Sequence, residues 1–410
     1  MILRRYPWLK YAAALGLLLT IVGLTFANMR FVSQTPAGSD FLPLWSATRA
    51  WLRDGISPYA PDVQQEAEML VYGRSAMPSL DEPVYAFLYP FPTLLFSLPY
   101  GLLAYPNARA LWMTVLEIAL PLSALLLFGV RRWKTPPPMI AVALLFSFVW
   151  VPGFTGLITG QFAVLIVLML AGALLAVERE AYVVAGILLG LATLKPQLSG
   201  LLVVFYLVWG IGRRRWPLLL SFLGTSILVW GLTLFIESNW LLAWARAIAA
   251  ASSGMPLQPS LQLFAALLPS LERPLYFGLL GLAVVSLVWE WGSLLASDDR
   301  SLPWVVAYTA ALSIFFAPPL NVADHVLLII PIISLIEYTG DRWKGRSSRI
   351  NFVLLAVLTA VSWLSVLMNP FTAELSLWSY LTPLLILVGL RWSRWWARHA
   401  LDWWDGNLLG

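Results

Sequence analysis

The chain has 410 residues, 60% of them hydrophobic and only 11% charged, with a formal charge of +5. Long apolar runs recur, each close to the roughly 20 residues that cross about 30 Å of hydrocarbon, so the chain reads as an all-α integral membrane protein, a single polytopic domain over 1–410, and not as a β-barrel. No cysteine and only two histidines exclude disulfides, thiol nucleophiles and multi-histidine metal clusters; basic residues flanking membrane spans explain the positive charge without nucleic acid.

The elements follow in chain order once the basic loops are placed in the cytoplasm. The first apolar run, 11–29, has a basic start, but it is long for a signal peptide and no small-x-small site follows, so it reads as a retained helix running outward. A long external segment follows, 30–107. Its stretch "FLYPFPTLLFSLPYGLLAY" (87–105) is apolar enough to span, but Pro90, Pro92 and Pro99 make it a kinked segment in the outer leaflet. Helices at 108–130, 138–155, 161–177, 182–194, 198–212 and 217–236 then alternate in direction. A second external loop covers 237–273. Helices at 274–296, 303–317, 326–340, 351–368 and 377–391 complete about twelve transmembrane helices, with both termini cytoplasmic. On this threading 18 of the 26 Lys and Arg lie inside and 8 outside. No internal repeat stands out.

Polar residues near hydrocarbon carry most of the functional information. The threading gathers Asp40, Gln161, Lys195, Gln197, Asn321, Asp324 and His325 on the outer face, with Tyr59, Tyr85 and Tyr89 in the first external segment. Each has a bland reading. Asp40, in "GSDFLP", suits the N-cap of an amphipathic helix from about Phe41 to Arg53. Lys195 suits a snorkelling lysine, although an outer lysine runs against the positive-inside bias. His325 suits an interfacial histidine, Gln161 an interhelical hydrogen bond, and the tyrosines an aromatic belt. Their convergence on one face argues for a site. No P-loop occurs, and no cytoplasmic loop is large enough for a nucleotide-sugar site. An activated substrate would therefore arrive already attached to a membrane lipid.

Five blocks carry a family resemblance: "SDFLPLWSATRAWLRDGISPY", "FLYPFPTLLFSLPYGLLAYPNARALW", "GLITGQFAVLIVLMLAGALLA", "AGILLGLATLKPQLSGLLVVFYLVWGIGRRRW" and "DHVLLIIP". In that order they resemble the polytopic glycosyltransferases of the GT-C fold, and among them the α-mannosyltransferases of family 87, which take sugar from polyprenyl phosphate. The resemblance implies juxtamembrane helices in the first external loop, a catalytic aspartate falling on Asp40, and a histidine near the donor phosphate falling on His325.

The residue chemistry agrees with that expectation. Glycosyl transfer needs a base for the acceptor hydroxyl, a role for Asp40. A lipid phosphate leaving group needs cations or hydrogen-bond donors, roles for Lys195 and His325. Tyr59, Tyr89, Gln161, Gln197 and Asp324 are expected to bind substrate. A single carboxylate implies direct displacement with inversion. The partners are then a polyprenyl-phosphate hexose, which the resemblance implies is mannose, a glycolipid or glycan acceptor, and membrane lipid. No cofactor and no resident metal are expected, though Asp40, Asp324 and His325 leave room for a divalent cation. The alternative is a polytopic transporter or lipid flippase, which predicts repeats and midplane polar sites.

Overall fold

The computed structural model describes residues 8–35, 39–80, 82–132, 134–252, 260, 264–317, 321–343, 346–368 and 377–398. Among them every regular element is a helix. The first is α1 (Trp8–Gln34). The segment after it holds α2 (Leu42–Asp54), α3 (Pro61–Tyr72), two single 3₁₀ turns (Pro78–Leu80 and Phe91–Thr93) and α4 (Leu94–Gly101). Both α2 and α3 carry proline in their first two positions, where no amide is lost from the ladder. They end on Gly55 and Gly73 at φ 63° and 68°, the left-handed conformation that a side chain resists. The proline-rich stretch 87–105 forms no single helix. It has no regular structure as far as Pro90, turns once, and then runs through the eight residues of α4. That helix is about 12 Å long, less than half the hydrocarbon thickness.

The chain continues through α5 (Tyr105–Val130), α6 (Pro137–Val149), α7 (Val151–Ile158), α8 (Ala163–Glu178), α9 (Tyr182–Ala192), α10 (Pro196–Gly212), α11 (Trp216–Ile236) and α12 (Trp240–Ser252). It closes with α13 (Glu272–Leu295), α14 (Leu302–Phe316), a 3₁₀ stretch Val322–Leu328 leading into α15 (Ile329–Arg342), α16 (Ser347–Met368) and α17 (Leu381–Arg398). Six stretches are long and apolar enough to cross a membrane: Ala14–Gln34, Tyr105–Val130, Trp216–Ile236, Pro269–Leu295, Val322–Arg342 and Ser347–Met368. A seventh is added if α6 and α7 count as one broken span. What separates this count from the twelve expected is helix length. For example, α8, α9 and α10 have 16, 11 and 17 residues. The straight helix expected at 138–155 is broken, with a 56° bend between α6 and α7. Pro152 is the cause: it has no amide to offer the carbonyl four residues back, and Trp150 takes up extended backbone.

By contact the chain groups into two units. The first comprises 1–118, 157–160 and 239–249, and the second 119–156, 161–238 and 250–410. In the second unit, α14 and the run from Val322 into α15 are buried on nearly every side and form the core; 94% of the Val322–Arg342 window is buried. Only 11% of the Trp216–Ile236 window and 17% of the Pro269–Leu295 window are buried, so those helices turn their apolar side chains outward, as lipid-facing helices do. Helices α9 and α11 pack closely. A Cβ on Gly186 would fall 2.0 Å from the Ser221 hydroxyl, and one on Gly190 would fall 2.8 Å from the Thr225 Cβ. Small residues four apart on each helix allow this approach.

Candidate functional site

Asp40 lies in the turn that opens α2. The Ser39 carbonyl accepts the Leu42 amide at 2.9 Å, and the N-cap position falls on Phe41, which makes no side-chain cap. The expected capping position is thus one residue off. Both neighbours of Asp40 are locked. Ser39 is buried with its hydroxyl 2.9 Å from the Tyr105 hydroxyl. Phe41 is fully buried, stacked on Trp112 with ring centroids 4.8 Å apart and meeting Tyr100 edge-on at 5.8 Å. The Trp112 indole donates to the Gly160 carbonyl at 2.8 Å. Gly160 has φ 72°, and a Cβ there would lie 2.9 Å from the Phe41 Cβ, so only glycine fits. Such aromatic pairs contribute about 0.5–1.5 kcal/mol each beyond burial. Asp40 itself is half-buried and lies within electrostatic reach of Tyr105 and Tyr85.

The predicted tyrosines gather in the same unit. The Tyr59 hydroxyl donates to the Tyr89 carbonyl at 2.9 Å, and the rings of Tyr59 and Tyr89 both flank Phe87. Burial raises the phenols of Tyr59 and Tyr85 above their ordinary value; for Tyr85 the neighbouring Tyr72 and Asp40 add to it. Both are therefore neutral hydroxyls at physiological pH. The loop between α3 and Tyr85 is tied by Arg74, which donates to both Glu82 oxygens at 2.7 Å, while the Met77 amide donates to Glu82 at 2.8 Å. These bonds hold the Glu82 carboxyl down to about 2. Buried Glu68 accepts the Ala76 amide at 2.9 Å from the other side of the loop.

In the second unit three predicted residues come together. Lys195 is only 3% exposed; its Nζ donates to Gln161 Oε1 at 2.9 Å and forms an ion pair with Asp324 Oδ1. Each is delivered by a helix end. Gln161 follows α7, its amide returning to the Gly156 carbonyl at 2.8 Å in the six-to-one bond of a helix C-terminus that ends on a left-handed glycine. Lys195 is the last of the three residues between α9 and α10, forced out of helix by Pro196. Ser199 secures that joint, donating from its hydroxyl to the Ala192 carbonyl at 2.7 Å and from its amide to the Lys195 carbonyl at 3.2 Å. Asp324 sits in the 3₁₀ stretch whose start is capped by Asn321 Oδ1, accepting the Ala323 amide at 3.1 Å. A lysine alone in this interior would carry a desolvation cost of several kcal/mol; the carboxylate and the amide offset it.

His325, next to Asp324, is 1% exposed, and its Nε2 has no hydrogen-bond partner. Its ring meets Tyr380 at 5.4 Å, and the Tyr380 hydroxyl donates to Ser260 Oγ at 2.6 Å. Gln197 is exposed on α10 and joins none of these bonds. Sequence reasoning passed over Arg109, Tyr380 and Trp230. Arg109 is 4% exposed and donates to the Thr35 carbonyl at 2.7 Å. It carried the signal that marked Lys195, a cation on the outer side of the threading. Tyr380 lies 55 residues beyond His325 and had no local signal. Among the described residues, no group of three or more His, Asp or Glu is arranged to hold a metal ion.

A family model described as glycosyltransferase family 87 matches residues 87–319, more than half of the chain. Gln161 and Lys195 fall within the match; Asp40, Asp324 and His325 fall outside it. No curated protein matches the chain.

Proposed function

The chain belongs to glycosyltransferase family 87 and is a membrane glycosyltransferase, and from that premise we propose that it moves a hexose, mannose in the first instance, from a polyprenyl-phosphate donor to a glycolipid or glycan acceptor. The observation that carries this reading is the buried Lys195–Gln161–Asp324 cluster beside the unpartnered His325. A membrane protein does not bury an ammonium, a carboxylate and an open imidazole in an apolar bundle for packing; such groups mark substrate pathways.

The reaction is a single displacement. The acceptor oxygen forms a bond to the anomeric carbon as the bond from that carbon to the phosphate oxygen breaks. The bonding pair leaves with the phosphate, and the acceptor proton passes to Asp40. Inversion follows, so a β-linked donor yields an α-glycoside. Lys195 and His325 meet the charge that grows on the phosphate, a contribution of about 10²–10³ in rate for one such donor. Asp324 has two tasks: it keeps Lys195 neutralised while no donor is bound, and it accepts from sugar hydroxyls once a phosphate competes for the ammonium. Tyr59, Tyr89, Gln161 and Gln197 are the remaining substrate contacts in this reading. The twelve-span GT-C threading, cell-membrane location, cytoplasmic termini and external site at 30–107 and 237–273 belong to the same proposal.

The test is incubation of the purified protein in lipid with radiolabelled polyprenyl-phosphate mannose and a crude lipid acceptor pool. Label in a new glycolipid supports the proposal. Absence of transfer from mannose, glucose and galactose donors alike would sink it. The cysteine-free chain also permits clean labelling, and a Ser348→Cys variant that reacted with an impermeant reagent from outside intact cells would overturn the orientation.

A further inference from the structure

Helix α11 contains one irregularity. Residues Ile227–Gly231 form a π turn inside an otherwise α-helical run. Turns of this kind lose packing quality and are frequent at functional sites. What this one accomplishes follows from helix geometry. Ser221 and Thr225 face α9, as their approaches to Gly186 and Gly190 show. At about 100° per residue, Trp230 would stand roughly half a turn away from Ser221 and point off that face. The π turn winds more slowly, by about one residue in all, and swings Trp230 back. Its indole then donates to Thr193 Oγ1 at 2.9 Å, and Thr193 donates in turn to the Gly190 carbonyl at 2.6 Å. Thr193 is the C-cap of α9, two residues before Lys195. Downstream, Thr233 is buried and bonds back to the carbonyls of Val229 and Trp230, so the wider turn is closed on itself.

The joint that carries Lys195 is therefore held from two sides. Ser199 holds it from α10 through the carbonyls of Ala192 and Lys195. Trp230 holds it from α11 through Thr193. We propose that Trp230 is a positioning residue for the donor phosphate, acting through Thr193 on the placement of Lys195, and that the π turn exists to supply it. The inference rests on the reading of Lys195 as a phosphate contact. It adds a residue outside the ionisable cluster, from a helix that turns most of its surface outward. A misplacement of about 1 Å at such a contact costs up to about 10²-fold.

The experiment measures binding of polyprenyl phosphate, the product that carries no sugar and is common to every hexose. Trp230→Phe keeps an aromatic ring and removes the N–H; Thr193→Val keeps the shape and removes the acceptor. Each is expected to weaken polyprenyl phosphate about tenfold, and the double variant to be no worse than either alone. The control is the Lys195→Met, Asp324→Leu double variant, which removes the ion pair without stranding a charge. In that background Trp230→Phe is expected to have no further effect. Wild-type affinity in both single variants, with affinity lost in the control, overturns the inference and leaves the Lys195 reading standing. A further loss from Trp230→Phe in the control background would make Trp230 a structural residue only and also overturns it. Unchanged affinity in the control itself removes the Lys195 reading, and this inference with it.

Discussion

Asp40 is half-buried and placed by apolar neighbours, Phe41 against Trp112 and Gly160, whereas Lys195 is 3% exposed and placed by polar partners, Asp324 and Gln161. The difference decides what each residue can be separated from. Packing sets the backbone on either side of Asp40, so Asp40→Asn, which keeps the size and a hydrogen-bonding oxygen, is expected to leave the fold in place. Lys195 and Asp324 neutralise each other in the bundle interior, so their stability role and their chemistry cannot be altered independently by a single change. Under the proposed reaction, the reachable base and the buried anion site would be built in these two ways.

Four measurements break or sharpen that contrast, beginning with the largest effect. Lys195→Ala strands a buried carboxylate and is expected to cost about 3–5 kcal/mol of stability, while the Lys195→Met, Asp324→Leu double variant recovers most of it. Thermal unfolding in a fixed detergent compares the three proteins, and equal midpoints would remove the buried-pair half of the comparison. Asp40→Asn is the opposite case. It should express and melt as the parent does, with transfer reduced by about 10²-fold or more, because only basicity is lost. Near-parental transfer would end the assignment of Asp40 as the base.

Gly160→Ala probes the packing that places Asp40. A methyl group there meets Phe41 on a backbone at φ 72°, for an expected cost of about 1–3 kcal/mol. Transfer should fall with an unchanged pH profile, since the base itself is untouched; a shifted profile would mean that the packing also tunes the carboxylate. The smallest effect lies in the half-buried Arg74–Glu82 clasp. Its acid is held at about 2 against an ordinary 4.5, so the clasp is complete above about pH 4.5 and is lost as pH falls through about 2. The protection factor at Met77, taken against intrinsic exchange at each pH, should fall across that window and stay constant between pH 5 and 8. In Glu82→Gln, protection at Met77 should lie below the parent's above about pH 4.5 and match it near pH 2.

The cluster around Lys195 was partly legible. Lys195 stood out because a lysine at the far end of an apolar helix contradicts the distribution of the other cations, and Gln161 and Asp324 were grouped with it on the same side of the threading. That Nζ meets both was not legible, because the residues are 34 and 129 positions away in the chain. Tyr59 and Tyr89 were expected at the substrate; what the fold shows is a bond from the Tyr59 hydroxyl to the Tyr89 backbone. Gln197 looked equivalent to Gln161 by residue type, yet it lies exposed on α10. A sequence lists polar residues near a helix end but not which way each side chain turns.

Hydropathy and punctuation determined by themselves that this is a helical membrane protein, where most of its apolar helices begin and end to within a few residues, with 138–155 and 377–391 as exceptions, and that the chain breaks at Pro90 and Pro92. These are local properties, set by apolar composition over a window and by the missing amide of proline. The tertiary structure alone decided that Val322–Arg342 is core while Trp216–Ile236 faces outward, although both are apolar over a similar length. It also decided that Lys195 is paired, that the cap of α2 falls on Phe41, and that a π turn brings Trp230 to Thr193. Each of these depends on which neighbour occupies the far side of a helix, and in hydrocarbon, where all apolar faces are nearly equivalent, close packing and buried polar pairing make that choice.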